Sequence, residues 1–170
     1  ETSGLRPGFH IQVLHMRLDQ IFKMEFLSDD LQSDTKEGVL AELINLLIGS
    51  GLKMDRAKAL DVLQQREKLG STGIGDGVAI PHGKVSELQD MVIAFGRSRR
   101  GVSFDAIDGK PVRLFFLLLA PEHSTGQHLK ALARISKMLK TPNFRKTLID
   151  AKTRADLYKA IVEQDASSPL

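Results

Sequence analysis

His82 stands in a backbone setting that would hold its side chain in a defined place. It lies between Pro81 and Gly83, near the end of the glycine-rich segment Gly70–Lys84 (GSTGIGDGVAIPHGK). Glycines spaced this closely indicate positive φ angles or a close approach of the backbone to a neighbour. Proline fixes its own φ and lacks an N–H, so we expect the preceding strand to end or bulge there. Imidazole is a good nucleophile near neutral pH, and we interpret His82 as a reactive group rather than a structural histidine at a turn.

Two other residues could act together with His82. His128 is expected at the start of a helix that follows a central strand, and a helix N-terminus favours anions. Arg66 precedes the glycine-rich segment and could donate to an anion there, although a solvated helix position is the alternative. His123, in the loop before the helix of His128, is interpreted as structural.

A second group of arginines follows a predicted strand. The arginines are Arg97, Arg99 and Arg100. They could form a docking patch for an acidic partner, but we favour the interpretation that they lie in a solvated turn.

The common phosphate and hydrolase motifs do not fit. The GxGxG run Gly73–Gly77 lies after a helix and before a strand, the reverse of the order in a dinucleotide fold. Val85 follows Gly83-Lys84 where a Walker A motif requires Ser or Thr. The HExxH and GxSxG patterns are absent. A zinc site would have to be assembled from three scattered histidines, His82, His123 and His128, without a carboxylate pattern nearby. We therefore predict neither a metal nor a cofactor.

Composition places the chain among ordinary globular proteins. Its 170 residues suit one domain, with 42% apolar and 26% charged residues. The net charge of +3 and the absence of a dense Lys/Arg tract argue against a nucleic-acid partner. No apolar run approaches the roughly 20 residues of a membrane span. The absence of cysteine excludes disulfides and thiol nucleophiles, and it fits a cytoplasmic location.

Periodicity and capping signals predict alternating helices and strands. Asp34 and Glu37 are typical of a capping box, and Asp55 and Thr153 are expected to cap two later helices. The predicted helices are Thr35–Ile48, Arg56–Leu69, Gly126–Lys140, Asn143–Asp150 and one from Thr153 to about Gln164. The predicted strands are Val78–Pro81, Met91–Arg97, Val102–Phe104 and Val112–Ala120, with a polar turn over Ser98–Gly101 and an irregular segment over Leu18–Leu31.

These elements predict the fold class. Helices flank a group of strands without an internal repeat, and not every connection is a long helical crossover. We therefore expect a single three-layer α/β domain, with a mixed parallel and antiparallel sheet flanked by helices on both faces. The domain is placed at residues 16–164, and a disordered tail at 165–170. Residues 1–15 are interpreted as a vector-derived leader or a disordered arm, so His10 and His15 receive no functional weight.

Several motifs of the chain resemble those of one family. They are Arg66-Glu67, Ser71–Gly75 (STGIG), Ala79–Lys84 (AIPHGK), Phe104–Asp108 (FDAID), Pro111-Val112, Leu117–Pro121 (LLLAP) and His128-Leu129. Together they resemble the fructose/mannitol-type enzyme IIA domain of the phosphoenolpyruvate-dependent phosphotransferase system. The resemblance extends from about Met16 to Gln164.

The resemblance implies a phosphohistidine carrier. His82 matches the histidine that family members phosphorylate on Nε2, with HPr or an HPr paralogue as the phosphoryl donor. His128 matches a second active-site histidine that stabilises the phosphoryl group, and Arg66 matches an arginine near the site. The implied fold is a mixed sheet flanked by helices.

Two branches of the family remain open, and so does a different class of protein. The STGIG and FDAID runs look more like the nitrogen-related branch, in which the phosphorylation state of enzyme IIA regulates other proteins. In the sugar-uptake branch, enzyme IIA passes the phosphoryl group to a separate enzyme IIB. The alternative outside the family is a metal-binding or structural adaptor that never carries phosphate.

Overall fold

The computed structural model describes residues 17–168, and its central element is a mixed six-stranded sheet. The strands are β1 (Phe22–Ser28), β2 (Gly73–Gly75), β3 (Val78–Ala79), β4 (His82–Lys84), β5 (Val92–Val102) and β6 (Val112–Ala120). The helices are α1 (Lys36–Gly49), α2 (Arg56–Lys68), α3 (Thr125–Leu139), α4 (Pro142–Asp150) and α5 (Arg154–Ser167), with a 3-10 turn at Leu18–Gln20. The prediction for residues 1–15 lies outside the described residues.

The strand order confirms the predicted mixed sheet. The path through the sheet is β1-β5-β6-β3-β2, and β4 also pairs with β6. β1 runs parallel to β5, and both β3 and β4 run parallel to β6. β5 and β6 are antiparallel, as are β2 and β3. Consecutive β5 and β6 pair directly, which a short connection permits only between antiparallel strands.

Strand β6 is the centre of the sheet, as its sequence predicts. All residues from Leu114 to Ala120 are buried. A continuous apolar run is typical of a strand with both faces covered, because neither face then needs polar side chains. The same holds for the first part of β5, where every residue from Val92 to Ser98 is buried.

Two helices approach β4 from opposite faces. A Cβ atom at Gly83 would lie 2.4 Å from Val62 Cγ1, so glycine is what allows α2 to pack closely on this face. Side chains alternate along a strand, and the neighbours of Gly83 therefore point to the other face. There the Nζ of Lys84 donates to Thr125 Oγ1 of α3 at 2.5 Å. This arrangement confirms helices on both faces of the sheet.

Helix caps confirm most of the predicted helix starts. Asp55 accepts from the backbone N–H of Lys58 at 3.0 Å, and Thr153 accepts from Asp156 N–H at 3.1 Å. The predicted cap at Asp34 is wrong, because Thr35 accepts from the N–H of Gly38 at 3.0 Å. Helix α1 therefore begins one residue later than the capping-box pattern indicates.

Two parts of the sheet differ from the sequence-based prediction. The predicted polar turn Ser98–Gly101 is wrong, because β5 continues through it to Val102 with a register irregularity after Arg97. The predicted irregular segment at Leu18–Leu31 contains β1. The register of β1 against β5 shifts between Phe22 and Leu27, so its buried residues do not follow the two-residue period of a regular strand.

The predicted disordered tail is wrong at its beginning. Helix α5 extends to Ser167, and the side chain of Asp165 is 1% exposed. Its carboxylate accepts from the backbone N–H of Leu18 at 2.8 Å and forms an ion pair with Arg134. These two long-range contacts hold a charged residue in the interior, which composition alone does not reveal.

Over residues 17–168, the helices are too short or too polar to cross a bilayer.

Candidate functional site

His82 begins β4 just after an interruption in the sheet. The pairing of β3 with β6 ends at Ala79, and the pairing of β4 with β6 begins with His82 opposite Leu118. Between them, the backbone N–H of Leu118 donates to Pro81 O at 2.9 Å. Strand β3 therefore ends just before Pro81, as expected, and the pairing with β6 resumes in β4 directly after it. A half-buried histidine is thus fixed by β pairing immediately after a local break.

The hydrogen bonds of the His82 ring determine its neutral tautomer. Nδ1 lies 2.8 Å from the carbonyl oxygen of Ile80, which can only accept. Nε2 lies 3.3 Å from the Nε of Arg66, which can only donate. In the neutral ring, the proton is therefore on Nδ1 and the lone pair is on Nε2. Nε2 is the nucleophilic atom of this tautomer.

The surroundings of His82 favour its neutral form. Burial lowers the pKa of His82, the hydrogen bond to the Ile80 carbonyl opposes this effect, and the nearby charge of Arg66 adds to the lowering. Glu67 acts in the opposite direction, by raising the pKa. The net lowering keeps the ring available as a nucleophile at neutral pH.

His128 lies in the first turn of α3 beside His82. The two ring centroids are 5.5 Å apart, and the planes are inclined by 72° in an edge-to-face arrangement. His128 is 7% exposed, and its Nε2 has no hydrogen-bond partner among the described residues. Burial lowers the pKa of His128, and the charges of His82 and Lys84 lower it further. The sequence-based prediction that His128 lies close to His82 is confirmed.

Arg66 reaches the site from the last turn of α2. Its Nη1 donates to the carbonyl oxygen of Gly70 at 2.8 Å, close to the end of its own helix. Its Nε contacts the His82 ring at a distance slightly beyond the usual range for an N–H donor. The structure therefore places Arg66 beside His82, as expected. Its role towards a phosphoryl group stays a prediction.

Sequence analysis missed the ionic network behind these residues. Glu67 has a 6% exposed side chain that pairs with Lys36 at 2.9 Å. Glu67 also accepts from the backbone N–H of Thr72 at 3.1 Å and from its hydroxyl group. Lys36 lies on a different helix, and an ordinary lysine near a helix start gives no signal of such a partner. The Arg66-Glu67 pair was the only hint in the sequence.

Other candidate residues lie away from His82 or have structural roles. His123 is exposed in the loop before α3. Arg97, predicted in a solvated turn or docking patch, is 1% exposed, and its guanidinium donates to backbone carbonyl groups. Among residues 17–168, no three His, Cys, Asp or Glu side chains are grouped as a metal site requires. The alternative of a histidine zinc site therefore has no geometric support within that range.

The site can transfer an anionic group. It offers a nucleophilic nitrogen, a guanidinium, a buried imidazole nitrogen without a partner, and the N-terminal turn of α3, which contains no acidic residue. These groups are the kind that stabilise developing negative charge in a transition state. The carboxylate of Glu67, which raises the pKa of His82, is already bound to Thr72 and Lys36.

Comparisons with known proteins agree with this chemistry. A family model described as "Phosphoenolpyruvate-dependent sugar phosphotransferase system, EIIA 2" matches residues 20–164. The nitrogen regulatory protein of Pseudomonas aeruginosa is 38% identical over 148 residues, covering 87% of this chain and 96% of that protein. The crystal structure of nitrogen regulatory protein IIA-Ntr from Neisseria meningitidis has a TM-score of 0.77 at 36% identity, covering 84% of this chain and 97% of that one.

A similar relative carries a sugar-related name. The fructose-specific EIIABC component of Bacillus subtilis is 34% identical over 150 residues, covering 88% of this chain. The chain spans only 24% of the length of that protein. Similarity thus extends to proteins of both the regulatory and the sugar-specific kind.

Proposed function

Because the chain belongs to the EIIA 2 family of the phosphoenolpyruvate-dependent sugar phosphotransferase system, a family of phosphohistidine carriers, we propose that His82 carries a phosphoryl group on Nε2. The family match confirms the resemblance drawn from the sequence motifs. The donor is HPr or an HPr-like phosphocarrier, and the reaction takes place in the cytoplasm. The unit responsible is the domain that contains residues 20–164, which the family model matches. The observation that carries the proposal is the tautomer of His82, whose Nδ1 is bound to Ile80 while Nε2 keeps its lone pair.

The transfer is a direct exchange between two imidazole rings. The lone pair of His82 Nε2 attacks the phosphorus atom of the donor phosphohistidine, and a new P–N bond forms. The P–N bond of the donor breaks, and its electron pair stays on the donor nitrogen. The proton on His82 Nδ1 stays in its hydrogen bond with the Ile80 carbonyl. Such a transfer depends on in-line positioning and on charge stabilisation more than on further covalent chemistry.

The surroundings of Nε2 fit a dianionic group. Phosphorylation adds close to two negative charges at neutral pH. The 3.3 Å contact between Arg66 Nε and His82 Nε2 yields to the incoming phosphorus, and the guanidinium then donates to phosphoryl oxygens. Nε2 of His128, buried without a partner, is placed beside the ring to donate as well. The N-terminus of α3 adds its dipole.

Exposed apolar side chains support a protein as the phosphoryl donor. Four large apolar side chains are 40–85% exposed within the described range: one follows the helix of Arg66, one is adjacent to His128 in sequence, and two lie in β2 and in the loop that is hydrogen-bonded to it. Exposed apolar groups of this kind mark protein–protein contact surfaces. They are Leu69 after α2, Ile74 in β2, Ile107, whose N–H donates to Gly73 O, and Leu129 next to His128.

Regulation in the nitrogen branch is the favoured role. The similarity to two proteins with nitrogen regulatory names, at 38% and 36% identity over most of their lengths, supports this branch. Phosphorylation of His82 would then change the charge of the surrounding surface and so change which regulatory target binds there. The second candidate is transfer to a separate enzyme IIB for sugar uptake, which the 34% identity to a fructose-specific protein supports.

The test of the carrier chemistry is intact mass after incubation with phosphoenolpyruvate, enzyme I and HPr. We expect wild type to gain one acid-labile phosphoryl group and His82→Ala to gain none, because only the wild type has the attacking nitrogen. Heteronuclear NMR of the phosphorylated wild type should place the group on Nε2. His123→Ala is the matched control, because the His123 ring is exposed in the loop before α3 and does not belong to the proposed site. It should be phosphorylated like wild type.

The opposite results would identify the alternatives. No mass gain in wild type, with a donor shown to phosphorylate another enzyme IIA, would exclude the carrier function and favour an adaptor. Equal gain in His82→Ala would move the phosphorylated residue elsewhere. Transfer from the phosphorylated wild type to an added fructose-type enzyme IIB would favour sugar uptake over the regulatory branch.

A further inference from the structure

We propose that Glu67 is a positioning residue that fixes the tautomer and the place of the His82 ring through Thr72 and Ile80. The inference rests on the proposed phosphorylation of His82 and adds a residue that does not itself touch the phosphoryl group. It assigns a function to the ionic network behind the site, which the proposed transfer does not use directly.

The carboxylate of Glu67 ties α2 to the segment that follows it. Its Oε2 accepts from the backbone N–H of Thr72 at 3.1 Å, and its Oε1 accepts from the hydroxyl group of the same residue. The Thr72 side chain is itself buried, with the residue 5% exposed. A buried carboxylate with several donors is held in one geometry, because the alternative is an uncompensated charge.

A continuous hydrogen-bonded path leads from Thr72 to the nucleophile. The carbonyl oxygen of Thr72 accepts from the backbone N–H of Ile80 at 3.0 Å. The carbonyl oxygen of Ile80 then accepts from Nδ1 of His82 at 2.8 Å. Glu67 thus holds the peptide segment whose carbonyl group selects the protonated nitrogen of the ring. Arg66, the preceding residue of α2, lies in the same last turn of the helix.

Lys36 completes the network from a third element. Its Nζ lies 2.9 Å from Glu67 Oε2, 3.4 Å from Phe104 O and 3.6 Å from Asp105 Oδ2. It also lies 4.6 Å from the centroid of the Phe104 ring. The lysine side chain is 14% exposed, so its charge needs these partners. Lys36 therefore balances the buried charge of Glu67 and joins it to the loop that bears exposed Ile107.

Loss of the contacts between Glu67 and Thr72 is expected to change the tautomer of the His82 ring. With the Ile80 carbonyl displaced, the neutral ring is free to carry its proton on Nε2, and that nitrogen then has no lone pair for attack. A displacement of about 1 Å in a reacting group can cost about 100-fold in rate. A merely structural role for Glu67 would lower the stability without changing the tautomer of His82 in the folded protein.

The test compares wild type with Glu67→Ala, Glu67→Gln and Thr72→Val in the full chain. ¹⁵N NMR of the imidazole rings at pH 8 reports the protonated nitrogen of neutral His82, and intact mass reports the phosphorylation rate with HPr. In Glu67→Ala, we expect loss of the dominant Nδ1–H form and a rate about 10- to 100-fold lower. Glu67→Gln keeps an acceptor for Thr72 N–H and should rescue most of the tautomer preference. Thr72→Val keeps the backbone path but loses the hydroxyl contact, so it should show a smaller effect.

Asp165→Asn is the matched control. Asp165 is also a buried carboxylate that accepts from one backbone N–H and pairs with one cation, but it lies in α5 and binds α3 and the 3-10 turn. Its loss should lower the melting temperature while the tautomer of His82 and the phosphorylation rate stay as in wild type.

The outcomes separate this inference from the proposed function. A wild-type tautomer and rate in folded Glu67→Ala would overturn the inference, as would an equal effect of Asp165→Asn. If Glu67→Ala does not fold, an unchanged tautomer and rate in Thr72→Val overturn it, because that variant loses one of the two contacts to Glu67. Should wild type accept no phosphoryl group at all, the proposed function fails, but the NMR measurement still decides whether Glu67 controls the ring.

Discussion

Arg66 and Arg97 both bind backbone carbonyl groups at helix ends, but their surroundings differ. Arg97 is 1% exposed, and its guanidinium donates to Asp29 O at 3.0 Å, Leu148 O at 2.9 Å and Ala151 O at 2.5 Å. Arg66 donates to a single carbonyl group, that of Gly70, and directs its Nε to the His82 ring. Arg97 therefore joins β5 to the end of α4, whereas Arg66 places its guanidinium donors beside the nucleophilic nitrogen of His82.

The difference separates a structural region from a functional one. Carbonyl groups at a helix end need donors, and Arg97 supplies them in the interior where water is excluded. Among residues 17–168, Nε2 of His128 and Nη2 of Arg97 are both buried without a hydrogen-bond partner, so a missing partner alone does not separate the two regions. They differ in their neighbours: the His128 ring lies beside the nucleophilic ring of His82, whereas the other guanidinium nitrogens of Arg97 are bound to backbone carbonyl groups. An unsatisfied donor beside a nucleophile is available to a reacting group. The following variants test this separation.

Removal of His128 should have the largest effect. In His128→Ala, we expect phosphorylation of His82 to slow by about 100-fold, because one preorganised donor to a transition-state charge is lost. The rate is measured by intact mass at short times after mixing with phosphorylated HPr. His123→Ala, a histidine change in the loop before the same helix, is the control and should keep the wild-type rate. A wild-type phosphorylation rate in His128→Ala would show that His128 does not stabilise the transition state.

Replacement of Arg97 should act on stability instead. Arg97→Met fills similar volume but leaves several buried carbonyl groups without donors, so we expect the free energy of unfolding to fall by about 3 kcal/mol. Urea unfolding followed by circular dichroism measures this change. The protein that remains folded should be phosphorylated at the wild-type rate. Slow phosphorylation without loss of stability would contradict the structural assignment of Arg97.

Arg66→Met should show the reverse pattern. We expect phosphorylation about tenfold slower, because a charge-assisted donor to the phosphoryl oxygens is lost. The unfolding free energy should change by less than about 1 kcal/mol, because the half-exposed guanidinium caps only one carbonyl group. The same urea and mass measurements apply. If Arg66→Met destabilises the protein as much as Arg97→Met and leaves the rate unchanged, the two arginines have the same structural role.

The sequence predicted the central elements better than the network around them. His82, His128 and the apolar β6 were placed correctly, because glycine and proline spacing, a helix start and a continuous apolar run are local signals. The burial of Arg97 was not predictable, because it depends on carbonyl groups more than 50 residues later in the chain. The Lys36–Glu67 pair and buried Asp165 depend on contacts of the same long-range kind.

A pH series should show the smallest effect and would sharpen the assignment of both histidines. Burial lowers the pKa of His82 and of His128, so each ring stays neutral in the folded protein below the ordinary value of about 6.5. The unfolded chain therefore binds protons at a higher pH than the folded one, and stability falls as the pH decreases below about 6.5. The phosphorylation rate should stay at its plateau down to that pH, because the attacking ring is still neutral. Urea unfolding between pH 8 and pH 5.5 should show this loss in wild type and in Arg97→Met, but much less of it in the double variant His82→Ala/His128→Ala. An equal slope in all three proteins would mean that neither ring is held in its neutral form by its position between β4 and α3.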